Sequence, residues 1–119
     1  MGTPSHTNTT EELARRYFTA WAAQDFDALH DVLADDATFR GPLGEADGAE
    51  ACIQGLRGIA DGIGVPEVSV IATHGDDAIT WFELQTKDGP LPVANWSHVE
   101  NGRIRRVRAT FDPRPLLAT

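Results

Sequence analysis

The sequence predicts an α+β fold, in which a cone-shaped, curved, mixed or antiparallel sheet wraps around helices in the order α-α-β-α-β-β-β-β. Helical periodicity occupies residues 11–60, whereas β-type runs separated by turn residues occupy residues 67–111. Asn101-Gly102 lies between two such runs and is a strong hairpin signal, because a type I′ turn needs positive φ at both central residues. The length of 119 residues predicts a single domain, residues 1–119, with one core.

Composition and charge narrow the classes of partner. The net charge of −8 argues against nucleic acid and against an anionic membrane surface. The single cysteine excludes an internal disulfide and favours a reducing, cytoplasmic location. No apolar run reaches the roughly 18–20 residues of a membrane span, and residues 1–9 show no signal peptide and are expected to form a flexible tail. No His, Asp or Glu cluster has metal-ligand spacing.

The first helix is predicted over Glu11–Ala23. Thr9 and Glu12 match a capping box at its start. Tyr17 carries a hydroxyl on the apolar side of this helix, where it either bonds a backbone carbonyl in the core or serves a pocket. The apolar stripe consists of Leu13, Ala14, Tyr17, Phe18 and Trp21.

Two more helices and a short strand are predicted before residue 61. The elements are a helix over Phe26–Ala34, an extended piece over Ala37–Arg40, a loop over Leu43–Asp47 and a helix ending near Ala60. Asp47 and Glu50 have the spacing of a cap for this last helix.

Four strands are predicted over Glu67–Thr73, Ala78–Thr86, Val93–Glu100 and Arg103–Phe111. In the third of them, alternation puts Val93, Asn95, Ser97 and Val99 on one face. An apolar face with one amide in its middle is more typical of a lined pocket than of a plain core. The tail, residues 112–119, is expected to fold back over a sheet edge through Leu116 and Leu117.

The residues resemble the nuclear transport factor 2-like superfamily, and within it the SnoaL-like polyketide cyclases and the ketosteroid isomerases. The resemblance spans Glu11 to Phe111. It depends on Arg16-Tyr17, Ala34-Asp35-Asp36-Ala37-Thr38 and Arg108-Ala109-Thr110-Phe111. A bacterial SnoaL-like subgroup is indicated by Phe39-Arg40-Gly41-Pro42-Leu43-Gly44, Asn95-Trp96 and Phe111-Asp112-Pro113-Arg114-Pro115.

The resemblance implies a catalytic set. Tyr17 matches the tyrosine that holds the oxyanion in ketosteroid isomerases, and Asn95 falls where their protonated aspartic acid sits. An amide donates to an oxyanion without a raised pKa. Gly41 stands where the family keeps its catalytic base. If the resemblance is followed along the second predicted strand, Ile79, Trp81 and Glu83 face the cavity, and Glu83 replaces the base or else lies at a solvated rim or pairs with Arg40.

These residues predict a cofactor-free isomerase, cyclase or lyase that acts on a small hydrophobic carbonyl compound by acid/base catalysis. One alternative is a non-catalytic protein that binds a small hydrophobic metabolite. The other is an epoxide hydrolase, which needs an Asp–Arg–Asp set for which Arg40 is a loose candidate. The expected substrate-binding residues are Trp21, Phe39, Arg40, Trp81, Val107 and Phe111, of which Trp21 and Phe39 also suit simple core packing.

The opposite face of the sheet is expected to be outward and unusually apolar. Its predicted members are Phe82, Leu84, Trp96 and His98. Exposed patches of this kind mark association, and by analogy with the superfamily they predict a homodimer through the outer sheet face.

Overall fold

The structure is a computed structural model that describes residues 9–117, with side chains up to Leu116. Apart from Thr9, the predicted N-terminal tail lies outside the described residues, and so does the side chain of Leu117. The elements are α1 (Thr10–Ala23), α2 (Phe26–Val32), β1 (Leu33–Gly41), β2 (Gly44–Asp47), α3 (Ala49–Gly62), β3 (Pro66–His74), β4 (Asp77–Thr86), β5 (Gly89–Glu100), β6 (Arg103–Thr110) and α4 (Arg114–Leu117).

The six strands form one mixed sheet in the order β2-β1-β6-β5-β4-β3. Only the β1–β6 pair is parallel, which is why the chain needs α3 and the hairpins between these two neighbours. The β5–β6 hairpin has φ of 55° at Asn101 and 77° at Gly102, as the type I′ prediction requires. The predicted α+β class, with a curved mixed sheet wrapped on helices, is therefore confirmed.

Helix α1 forms for the reasons visible in its sequence. The Thr9 side chain accepts from the backbone N–H of Glu12, and the Glu12 side chain accepts from the backbone N–H of Thr9. Its apolar stripe is buried against one face of the sheet, where the rings of Phe18 and Phe82 lie 4.8 Å apart. The core therefore lies between the helices and this inner face.

The segment after α2 departs from the prediction. Strand β1 starts at Leu33, directly after α2, and the predicted loop over residues 43–47 contains strand β2. Gly48, not Asp47, is the N-cap of α3, and Asp47 instead pairs with Arg40 at 2.9 Å. The four residues of β2 carry no apolar alternation, so only their pairing with β1 identifies them as a strand.

The predicted orientation of β4 is wrong. Phe82 and Leu84 are buried in the core, whereas Ile79 and Trp81 are 51% and 47% exposed on the outer face. Both faces of this strand carry large apolar residues, so alternation defines two sets without showing which one points inward. A one-residue change of register turns every side chain over. The pairing of Phe82 with Val93 settles the orientation.

The predicted alternation of β5 is confirmed, while β6 is irregular. Asn95 and Ser97 lie on the buried face of β5, and Trp96 lies on the outer face. A register shift next to His98 and Val99 lets both Ile104 and Val107 of β6 point into the core.

None of the helices formed by residues 9–117 is long and apolar enough to cross a membrane.

Candidate functional site

A cavity of about 20 Å³ lies between α1, α3 and the inner face of the sheet. Its volume is that of about one water molecule. Its lining is apolar except for the Tyr17 hydroxyl, the Asn95 amide and the indole N–H of Trp21, which already donates to the Leu56 carbonyl at 2.9 Å. The structure therefore brings the predicted phenol and carboxamide to one cavity, which we call the inner chamber.

Tyr17 presents a neutral phenol to the inner chamber. The residue is 1% exposed, and burial, followed by the neighbouring Cys52 thiol, raises the pKa of Tyr17 above its ordinary value. Among the residues that the structure describes, no hydrogen-bond partner of its hydroxyl is observed. The group is therefore a protonated donor, and the alternative of a core tyrosine bonded to a backbone carbonyl is not observed.

Asn95 supplies the second donor from β5. It is 3% exposed, and its Oδ1 accepts from the Ser97 hydroxyl at 3.1 Å. In this contact the amide oxygen lies toward Ser97, which leaves Nδ2 as the donor of the side chain. Within residues 9–117, Nδ2 reaches no acceptor.

Thr80 adds a polar group that sequence reasoning missed. It is fully buried on the inner face of β4, opposite Asn95 in the strand register, and its hydroxyl has no hydrogen-bond partner among the described residues. It is not part of the lining of the inner chamber. The burial of Thr80 would have been predicted if the orientation of β4 had been assigned correctly.

A second cavity of about 200 Å³, the outer chamber, lies between the β1–β2 hairpin, α3 and α4. It adjoins the inner chamber, because five residues line both. They are Phe39, Leu56, Ile59, Leu84 and Phe111. Leu116 of the C-terminal tail also lines the outer chamber, as its predicted return to the sheet implies.

The outer chamber carries one carboxylate, Glu45, whose side chain is 71% exposed and lies 3.9 Å from Arg40. Cys52 lines the same chamber, and burial raises the pKa of its thiol. No His or Asp lines either chamber, and no three His, Cys, Asp or Glu side chains within residues 9–117 are grouped as a metal site requires. The site thus offers hydrogen-bond donors inside and one carboxylate at its entrance.

A larger depression of about 770 Å³ lies beside the start of α1 and the β5–β6 turn. It is open to solvent and lined mainly by polar residues such as Thr10 and Asp76. Ligand sites are concave and mostly apolar, so the inner and outer chambers, which are apolar and less open to solvent, are the stronger candidates.

Five of the predicted site residues meet at the chambers: Tyr17, Asn95, Trp21, Phe39 and Phe111. Four others do not line either chamber. Glu83 and Trp81 lie on the outer face of β4, and Val107 packs in the core at 2% exposure. Arg40 is engaged by Asp47 and by the carbonyls of Phe39 and Ala46.

Glu83, which was predicted to replace the catalytic base, lies on the outer face of β4. Its carboxylate makes no ion pair with Arg40 or with any other described cation, and the sheet separates it from Tyr17 and Asn95. The same alternation that buries Phe82 turns Glu83 outward. It is therefore not placed to exchange a proton with a ligand in either chamber.

Comparisons with known proteins agree on the family and the fold. Residues 14–107 match the model of the SnoaL-like domain. No curated protein matches the sequence.

Solved structures share the fold over nearly the whole chain. An NTF2-like protein of unknown function from Cytophaga hutchinsonii has a TM-score of 0.85 at 24% identity, covering 96% of this chain and 99% of that one. A protein provisionally described as a ketosteroid isomerase, from Kribbella flavida, has a TM-score of 0.79 at 21% identity, with coverages of 91% and 82%. One provisionally described as a polyketide cyclase, from Sinorhizobium meliloti, has a TM-score of 0.76 at 22% identity, with coverages of 82% and 93%. These similarities show an NTF2-like fold.

Proposed function

The chain belongs to the SnoaL-like domain family, and from that premise we propose that it binds a small apolar compound carrying a carbonyl group. The apolar body occupies the outer chamber, and the carbonyl oxygen accepts hydrogen bonds from Tyr17 and Asn95. One observation carries this proposal: Tyr17 and Asn95 line the same apolar cavity, and their donor groups have no acceptor among residues 9–117.

A buried hydrogen-bond donor without a partner destabilises the folded protein. A polar group held away from water without a partner costs about 1–3 kcal/mol, which a ligand acceptor recovers on binding. A carbonyl oxygen has two lone pairs and is small enough to serve both donors in a cavity of about 20 Å³. An acid ligand fits poorly, because a carboxylate in this apolar surrounding would lose its hydration without meeting a cation.

Binding of cyclohexanone to isosteric variants tests the proposal. Tyr17→Phe and Asn95→Leu each remove one donor and keep the shape of the side chain, so we expect each to weaken binding about five- to tenfold. Thr80→Val is the matched control, because it removes a buried inner-face hydroxyl outside the chamber lining. Ligand-observed NMR titration measures all three. Equal affinity in the donor variants and the control would contradict the assignment.

A cofactor-free isomerase or cyclase is the second candidate, and the presence of two donor residues in the lining of one cavity favours it. Donors aimed at a carbonyl oxygen stabilise the enolate that forms when a neighbouring carbon loses a proton. Glu83 does not face the chambers, so Glu45, which lines the outer chamber, is the carboxylate available as proton acceptor. In that case Glu45→Gln abolishes deuterium exchange at the carbon next to the carbonyl of bound cyclohexanone and leaves its affinity unchanged. Exchange that survives Glu45→Gln excludes this role.

We also propose a homodimer through the outer sheet face, with a corrected set of residues. The exposed apolar side chains there form the outer patch: Val70, Ile79, Trp81 and Trp96. Phe82 and Leu84, which were predicted to belong to it, are buried in the core. Trp96 and His98 do lie on this face, where the Trp96 indole and His98 Nδ1 contact Asp77 Oδ1 at 2.8 and 2.7 Å.

The charges beside the outer patch favour a second copy of the chain as its partner. Arg108 flanks the patch on β6 and bonds only backbone and hydroxyl oxygens, while Glu83 flanks it on β4 and makes no ion pair with the described residues. Arg108 and Glu83 are separated by two interstrand spacings across the sheet and by four residues along the strand. Together these correspond to a distance of roughly 16 Å. A two-fold axis that places Arg108 opposite Glu83 of the second copy also places Trp96 opposite Trp81 of that copy.

Charge reversal tests this interface. Arg108→Glu and Glu83→Arg should each yield monomers, and combining them should restore the dimer in sedimentation equilibrium. Arg103→Glu, at an exposed position of the same strand near the turn, is the matched control and should leave the dimer intact. A monomeric wild-type protein, or no rescue in the double variant, would contradict the proposed pairing.

We propose a cytoplasmic location because the chain contains one cysteine and therefore no internal disulfide. The single cysteine, Cys52, is a buried free thiol, and its Sγ contacts the carbonyl of Ala37 at 3.6 Å. Free thiols are typical of reducing compartments. Fractionation of cells that express the full chain tests this location, and recovery outside the cytoplasm would contradict it.

A further inference from the structure

The ring of Phe39 lies over Gly41 on the chamber side of β1. A Cβ built on Gly41 would meet Cε1 of Phe39 at 3.0 Å and Cζ at 3.2 Å, closer than carbon atoms normally approach. The two residues are two positions apart on one strand, so their side chains would share a face. The absence of a side chain at position 41 is therefore what lets the ring occupy its place.

Phe39 lies between two chambers of very different size. It lines both the inner chamber of about 20 Å³ and the outer chamber of about 200 Å³. Only the inner chamber has Tyr17 and Asn95 in its lining. Phe39 is thus one of the residues that separate the two donors from the outer chamber, and the inner chamber, with the ring in place, holds about one oxygen atom.

We propose that the ring of Phe39, seated over Gly41, is a partition that sets the ligand class. The ligand is a compact apolar aldehyde or ketone, whose carbonyl oxygen alone passes the ring while its carbon skeleton stays in the outer chamber. This inference rests on the proposed binding function and adds a size limit to it. The outer chamber is smaller than the roughly 300–1,000 Å³ of pockets for drug-sized ligands, so it favours a one-ring skeleton over a fused multi-ring one.

The same geometry accounts for glycine at position 41. The Gly41 backbone is not in the left-handed region, so alanine is sterically permitted by the backbone and changes only the contact with Phe39. The added Cβ would displace the ring, which lines both chambers, from its place over the strand. Gly41 is thus a positioning residue, which acts on the ligand through Phe39.

A pair of ketones tests the partition. Cyclohexanone and the two-ring 2-decalone are titrated into the wild-type protein and into Phe39→Ala, with ligand-observed NMR as the readout. We expect the wild type to prefer cyclohexanone by at least about tenfold, and Phe39→Ala, which joins the chambers, to abolish or reverse that preference. Phe39→Leu, with a smaller loss of volume, provides the same comparison if the alanine variant does not fold. An unchanged preference in a folded Phe39 variant would overturn the partition.

A double-mutant cycle tests the role of Gly41. Gly41→Ala should weaken cyclohexanone binding about two- to tenfold, the range expected for forcing a ring off its preferred rotamer. Gly58→Ala is the control, because Gly58 lines neither chamber and its Cβ would meet nothing within 4 Å. In the Phe39→Leu background the effect of Gly41→Ala should disappear. Equal effects of Gly41→Ala and Gly58→Ala would overturn the positioning role.

The outcomes separate this inference from the proposed function. If both ketones bind the wild type equally and Tyr17→Phe weakens both, the binding function stands and the partition is refuted. If neither ketone binds any of these proteins, the proposed function fails, and the partition fails with it.

Discussion

Replacing Thr80 by valine should stabilise the protein. Thr80 is fully buried in β4, and its hydroxyl has no hydrogen-bond partner among the described residues. Valine has almost the same shape and suits a strand, so the substitution removes the hydroxyl without opening a cavity.

The expected gain follows from the cost of burying a hydroxyl without a partner. Mutational data place this cost at about 1–3 kcal/mol, and the unfolded chain hydrates the hydroxyl, so the folded state alone bears it. Allowing for imperfect fit of the new methyl group, we expect the free energy of unfolding to rise by about 1–2 kcal/mol. For a domain of this size the melting temperature should rise by about 4–8 °C.

Urea unfolding followed by circular dichroism measures this change, with the m-value serving as a check that the unfolded state is unaltered. Thr73→Val, at an exposed position on β3, is the matched control and should change the stability by less than about 0.5 kcal/mol. A neutral or destabilising effect of Thr80→Val would mean that the hydroxyl is hydrogen-bonded in solution, and the described packing around it would be wrong.

Two further predictions concern ionisation. Tyr17 is the only tyrosine, and burial raises its pKa, so absorbance at about 295 nm should show no phenolate in the folded protein at pH values where a free tyrosine ionises, about pH 10. Because the pKa of Tyr17 is higher in the folded state than in the unfolded state, the stability is intact below about pH 10 and declines above it. Phenolate should therefore appear together with unfolding. Ionisation of Tyr17 without loss of the circular dichroism signal would contradict its burial. Hydrogen bonds from Arg114 lower the pKa of Asp112 to about 2 from its ordinary 3.8, so a carbon-detected NMR titration should give a midpoint near 2 that rises toward 3.8 in Arg114→Ala. The contribution of Asp112 to stability is present above its unfolded pKa and is lost as the pH falls through about 2. An unchanged midpoint in Arg114→Ala would refute this pairing.

Local signals in the sequence were sufficient for the elements that depend on neighbouring residues. The capping box of Thr9 and Glu12 and the turn at Asn101-Gly102 both appear where the sequence predicts them. Each depends on a contact within four residues, so the surrounding fold does not change the outcome. The ion pair of Asp112 with Arg114, two residues apart, is likewise a contact between near neighbours in the sequence.

Features that depend on partners far along the chain were not predictable in the same way. Strand β2 forms only because β1 is beside it, and the orientation of β4 is decided by its pairing with β5 and by the contact of Phe82 with α1. That single orientation determined the outcome for Glu83, which the sequence interpretation placed in the cavity and the structure places outside it.

The candidate site was predicted in part for the same reason. Tyr17 lies on an unambiguous helical stripe, and Asn95 lies on a strand whose polar and apolar residues separate cleanly. Both residues were therefore assigned to the correct face, and they meet at the inner chamber. The size of the chambers and the position of the Phe39 ring depend on packing among α1, α3 and β1, which no pattern within one segment encodes.

The most direct test of the central claim is the carbonyl stretching frequency of carbon-13-labelled cyclohexanone bound to the protein, measured by difference infrared spectroscopy. If Tyr17 and Asn95 both donate to one carbonyl oxygen, the band lies below its position in an apolar solvent. It should move part of the way back in Tyr17→Phe and in Asn95→Leu, and all of the way in the double variant. A bound ketone whose band matches the apolar solvent in the wild-type protein, or does not respond to either substitution, would contradict the claim.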